Sequence, residues 1–158
     1  MSQLRLARQK AISERNAFTF QYDNTAKTIT IIDNNASGSM LLNATNYPNN
    51  AGSTVAFTST LTLMGLSNSE VSYGIPSGLP TGALSDGVSK STLSSAKITI
   101  TFQPDGSVVD ANGSPRDFGI FLYNGKIPNE TASAVSVLGA AGRIKLWKYE
   151  SGSNTYKE

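Results

Sequence analysis

At residue 17 the hydrophobic period of the chain changes from that of a helix to that of a strand, and no later stretch restores it. Residues 2–16 place Leu4, Ala7, Ala11 and Ile12 at helical spacing, with Arg, Lys, Gln and Glu filling other positions. Ser2 is expected to cap this helix and Asn16 to stop it. From residue 18 the period is two: Phe18, Phe20 and Tyr22 alternate with Thr19 and Gln21. One helix with a narrow Leu/Ala stripe must therefore lie on sheets built from the rest of the chain. The expected class is α+β, an N-terminal α-helix packed on antiparallel β-sheets.

The strands can be placed from the same alternation. Asp23-Asn24-Thr25 separates the first strand from a second in which Ile29 and Ile31 share a face opposite Thr28 and Thr30, the pattern of a β-hairpin. Asp33-Asn34-Asn35 ends that strand. Residues 34–53 read as a polar loop interrupted by Met40-Leu41-Leu42, and 54–64 is the longest strand candidate, through Val55, Phe57, Ser59, Leu61 and Leu63. Residues 65–95 are rich in Gly, Ser and Pro. A connection of that length is uncommon in a compact domain and points to a functional surface, an interface or mobility. Later strands run through Ile98, Ile100 and Phe102, then Phe118, Ile120 and Leu122. Between them Pro104-Asp105-Gly106 turns the chain and Val108-Val109 is expected to start a return strand. Residues 133–138 and 143–149, joined by Gly139-Ala140-Ala141-Gly142, form a final hairpin. The expectation is one helix and seven or eight mostly antiparallel strands in a single domain, with 1–16 as the helix and 17–158 as a β-rich head.

The chain has 158 residues, a formal net charge of +2, no histidine and no cysteine. Those two absences remove the Cys–His pair, the Ser–His–Asp triad and imidazole or thiolate metal ligands. A Ser–Lys or two-carboxylate enzyme stays formally open, but no catalytic, cofactor or metal residues can be named and no small-molecule substrate is implied. Asp110, Asn112 and Ser114 resemble half of a calcium loop, yet Pro115 follows and no acid arrives at the twelfth position, so a hairpin turn is expected. Asn-x-Ser/Thr triplets at Asn35, Asn43, Asn112 and Asn129 are what chance gives in a chain rich in these residues. No stretch reaches the ~20 apolar residues of a membrane span. The protein is therefore expected to be cytosolic, or to be a soluble domain from which a targeting segment has been removed.

Two groups of side chains are candidate contacts. Arg5, Arg8, Lys10 and Arg15 outnumber Glu14 on the helix, either as a solvated face or as a surface for anionic groups. On 143–149, alternation sets Arg143, Lys145, Trp147 and Tyr149 on one side and Ile144, Leu146 and Lys148 on the other. With Ile144 and Leu146 inward, two cations would stand beside an exposed aromatic pair, which suits phosphate and base stacking. Alternatively the cations serve solubility and Trp147 packs under a loop.

Three segments together resemble the GspH/FimT family of minor pilins and pseudopilins. They are the basic helix running into a hairpin over 4–33, the Phe-x-Pro-Asp-Gly turn leading to a strand pair over 100–124, and the closing hairpin with Gly142-Arg143. The resemblance implies a structural subunit that assembles into, or primes, a type IV pilus or type II secretion pseudopilus. Its partners would be other pilin or pseudopilin subunits and the bacterial inner membrane, the latter through an apolar half-helix merging into Leu4. Its place would be the inner membrane and periplasm, or a cell-surface pilus. Arg5, Arg8, Lys10 and Arg15 would then approach anionic headgroups or neighbouring subunits' carboxylates. Some competence-associated pilins of the family capture DNA through a Gly-Arg-x-Arg segment, which implies a DNA contact at Arg143, Lys145 and Trp147. Lys145 here replaces the second arginine and lacks its planar fork. An unrelated β-sandwich adhesion module with a helical arm is the reading from another class.

Overall fold

A computed structural model of the chain describes residues 1–35, 52–61, 65–110 and 112–158. The expectations placed on Met40-Leu41-Leu42, on the triplet at Asn43 and on Leu63 fall outside the described residues. Helix α1 runs Ser2–Glu14 and is followed by β1 (Phe18–Asp23), β2 (Thr28–Asp33) and β3 (Thr54–Thr60). After a 3-10 turn come β4 (Ser72–Tyr73), β5 (Lys97–Phe102) and β6 (Phe118–Tyr123). A one-turn helix α2 (Pro128–Thr131) precedes β7 (Ser133–Leu138), β8 (Arg143–Glu150) and β9 (Thr155–Lys157). Every described pairing is antiparallel, in one sheet ordered β3-β2-β1-β5 and another ordered β4-β6-β7-β8-β9.

The helix sits where its stripe predicts. Leu4, Ala7 and Ala11 are buried, and the two alanines let its backbone approach the strands closely. They meet Phe18, Phe20 and Tyr22 of β1, with Phe20 opposite Ile31 on one side and Ile100 on the other. The five-stranded sheet closes this core from the far side with Phe118, Ile120 and Val137. Burying a side chain such as Leu4 or Phe20 contributes about 1.5–3 kcal/mol, so this contact, and not helix propensity, fixes α1.

Several expectations change. Met1, not Ser2, occupies the N-cap, without a side-chain bond, and the Ser2 hydroxyl donates to Gln3 instead. The helix stops at Glu14, with Arg15 in the left-handed conformation (φ 53°), two residues before Asn16 has to turn. Ile12 leaves the stripe and is 43% exposed. Val108 and Val109 start no strand; each makes one isolated bridge, to Phe102 and Pro115, because the chain turns again at Asp110. That turn is closed by Asp110 accepting from the Asn112 and Ser114 amides, the hairpin chemistry expected of it. The longest described strand is β8, not the 54–64 segment.

The long connection has a structural task. The five-stranded sheet is apolar on both faces, and residues 75–88 cover the face turned away from α1. Leu79 and Leu84 pack there on Phe121, Ala134, Trp147 and Tyr156. A polar chain fastens the cover: Trp147 Nε1 donates to Ser136 Oγ (2.8 Å), Ser136 donates to Asp86 (2.6 Å), and Asp86 accepts from the Val88 amide (3.2 Å).

A candidate anion cleft between the helix and the final hairpin

The cleft begins with a steric requirement. The β7–β8 turn passes so close to the 104–107 turn that a Cβ on Gly142 would lie far inside contact distance of the Gly106 carbonyl oxygen. Gly142 also has φ +57°, in the left-handed region, so glycine meets both demands at once. Two backbone carbonyls, Gly106 and Ala141, then face α1. Arg8 satisfies them: its Nε donates to Gly106 (3.3 Å) and its Nη2 to Ala141 (3.2 Å). The carbonyls are neutral, so the guanidinium charge stays uncompensated.

Around this tie lies a cleft of about 550 Å³ walled by α1 on one side and 141–144 on the other. Arg5, Arg8 and Arg143 line it, with Ile12 and Ile144 supplying an apolar strip. No carboxylate pairs with any of the three arginines among the described residues, which include every charged side chain of the chain. Arginine stays charged at any working pH. What the arrangement can do is hold an anion, preferably one attached to an apolar group. In the 104–107 turn the Asp105 carboxyl is held below the usual range, first by the Ser107 hydroxyl and then by the Ser107 amide, so its bonds close the turn and it pairs with none of the three arginines.

The structure thus gathers Arg5 and Arg8 from one candidate group and Arg143 from the other, which sequence reasoning treated as separate. It leaves the rest apart. Lys10 pairs with Glu14 (2.8 Å) and lies over the Phe18 ring, and exposed Arg15 ends the helix. Lys145 pairs with Glu158 and lies over Trp147. The expected outward aromatic face is reversed: Trp147 is only 4% exposed and Leu146 is 38% exposed. The physical reason is the second core. Covered by 75–88, the outer face of the sheet is as apolar as the inner one, and the large indole fills it. Trp147 therefore packs under a loop and offers no ring for stacking. Ile12, which the sequence reading grouped with the buried stripe, is exposed and lines the cleft; its position one residue past Ala11 was the available signal.

Among solved structures, the chain is similar to the type IV minor pilin FimU of Pseudomonas aeruginosa in two crystal forms. In space group P21 the TM-score is 0.51 at 20% identity, covering 99% of this chain and 86% of that one. In space group P65 it is 0.45 at 19% identity, covering 99% and 90%. No protein-family model matches the sequence, and no curated protein matches it in sequence. At this identity the likeness is one of fold: an N-terminal helix on antiparallel sheets, the type IV pilin-like architecture.

Proposed function

We propose that this pilin-like chain is the globular part of a minor pilin or pseudopilin of the GspH/FimT family. It is a structural subunit, not an enzyme, and it assembles into or primes a type IV pilus or type II secretion pseudopilus. The observation that carries the reading is the placement of α1, held on the head by Leu4, Ala7 and Ala11 within a fold like that of a minor pilin over 99% of the chain. Its partners are other pilin or pseudopilin subunits. An apolar segment continuing α1 beyond Leu4 anchors the native protein in the inner membrane before assembly. The uncompensated Arg5, Arg8 and Arg143 are its assembly contacts.

The encoding gene supplies the test. A short basic leader ending in Gly, then Phe-Thr-Leu-x-Glu and an apolar run merging into Leu4, is the expected upstream sequence, and the full-length product should be recovered in sheared filaments. An ordinary cleaved signal peptide would sink the proposal and favour an adhesion module. The DNA-capturing alternative keeps Arg143 but has lost its stacking ring to burial and Lys145 to an ion pair. If Arg143→Ala leaves DNA affinity and its salt slope unchanged, that alternative fails at this strand.

A further inference from the structure

All eleven acidic side chains lie among the described residues, and ten accept a hydrogen bond or form an ion pair within the chain. The exception is Glu130, exposed on α2, with no partner among the described residues. Three residues before it stands Ile127, which is 45% exposed and one of the few large apolar side chains in solvent. Lys126 on the same segment lies close enough to Glu70 for ionic attraction, which leaves Glu130 as the free charge. An unpartnered carboxylate beside an exposed isoleucine is the complement of the arginine cleft, whose apolar strip includes the exposed Ile12.

The topology sets these two patches at opposite ends of one strand. Residues 127–130 lead into β7 at Ser133, and the cleft turn leaves it at Leu138. Six residues of strand separate them by about 17 Å. Two complementary patches held at opposite ends of one strand do not meet within a copy; between copies they make a heterologous contact, which propagates where the rotation does not close. We propose that Glu130 and Ile127 of one copy dock into the Arg5–Arg8–Arg143 cleft of the next, in a head-to-tail contact. Arg5 and Arg143 clamp the carboxylate, Arg8 remains tied to its carbonyls, and Ile127 covers Ile12. A phosphodiester fits less well, because the cleft has no aromatic ring and would leave Ile12 uncovered. The proposal rests on the filament-subunit reading and names one contact within it.

The test is sedimentation of the full 158-residue chain over a wide concentration range at about 50 mM and 500 mM salt. Species larger than a dimer should grow with concentration at low salt and recede at high salt. Arg143→Ala should weaken association about tenfold and Glu130→Ala at least as much, and the double variant should be no weaker than Glu130→Ala alone, since without the carboxylate Arg143 has nothing to pair with. Neither side chain makes a hydrogen bond or ion pair among the described residues, so both variants should keep the wild-type circular dichroism. A monomer at every concentration, a closed dimer, or additive losses would overturn the proposal. So would a short DNA duplex that binds in an Arg5- and Arg143-dependent way while the protein stays monomeric. None of these outcomes touches the upstream-sequence and filament tests, so failure of this contact is distinguishable from failure of the subunit reading.

Discussion

Replacing Gly142 with alanine tests whether the approach of the two turns holds the helix edge of the domain together. Two costs act. Alanine in the left-handed region costs about 1–2 kcal/mol, since its Cβ crowds the local backbone. The same Cβ would overlap the Gly106 carbonyl and come within 2.8 Å of Arg8 Nε, so the 104–107 turn must move and the Arg8 bond must lengthen. Such overpacking costs about 1–3 kcal/mol. The sum is about 3 kcal/mol, and for a domain of this size it lowers Tm by roughly 6–12 °C. Gly78 isolates the second cost: it has φ +85° with nothing within 4 Å of its would-be Cβ, so Gly78→Ala carries the backbone cost alone. Urea and thermal unfolding, followed by circular dichroism, should show Gly142→Ala about 1–3 kcal/mol worse than Gly78→Ala. Arg8→Ala should add little in the Gly142→Ala background, because its bond is already broken. Equal losses at the two glycines would refute the reasoning.

Three further outcomes follow from buried polar and phenolic groups. Asp86→Ala strands the Ser136 hydroxyl beneath the 75–88 cover, so it should cost about 1–3 kcal/mol and shift Trp147 fluorescence toward the red; unchanged emission would mean the cover does not depend on this chain of bonds. Gln103 is 1% exposed and neither of its side-chain polar atoms has a partner among the described residues, so Gln103→Leu should be neutral or stabilising by up to about 2 kcal/mol, and a clear loss in urea unfolding would contradict that. Burial first, then Asp23, pushes the Tyr22 phenol up to about 12, and burial with Tyr22 does the same for Tyr73. These folded values lie above the unfolded value of about 10, so their stabilising contribution is complete below pH ~10 and is lost as pH rises toward 12. Tyr22→Phe should flatten that loss in unfolding curves taken across this window.

What could be read in advance depended on how local the cause was. The β1–β2 hairpin was legible because Phe18, Phe20 and Tyr22 alternate against residues whose partners lie one turn away. The β7–β8 pair was legible for the same reason, to the residue at 133–138. The direction of β8 was not. Alternation separates two faces but says which is inward only when one is wet, and here the face holding Trp147 is dry because residues 75–88 return to cover it. That cover depends on contacts such as Asp86–Ser136, 50 residues apart. Val108-Val109 misled in the opposite way: two β-branched residues suit a strand, but the Asp110 turn consumes the backbone that would extend the pairing.

The cleft shows why its residues looked unrelated in the sequence and why they must be tested separately. Small side chains at Ala7 and Ala11 bring α1 close to the sheet, and the absent Cβ of Gly142 brings two turns together beneath it. That closeness leaves the Gly106 and Ala141 carbonyls facing the helix, and only a long donor such as arginine at position 8 can reach both. A carboxylate there would have repelled these oxygens, and a lysine would have lacked the fork. The positive charge in the cleft is thus a by-product of fastening the helix, which Arg5 and Arg143 then augment with no hydrogen bond or ion pair of their own among the described residues. Arg8→Ala must therefore lower stability and binding together, whatever the partner. Arg5→Ala and Arg143→Ala should lower binding with stability unchanged, so these two, not Arg8, decide whether the cleft has a function beyond holding α1 in place.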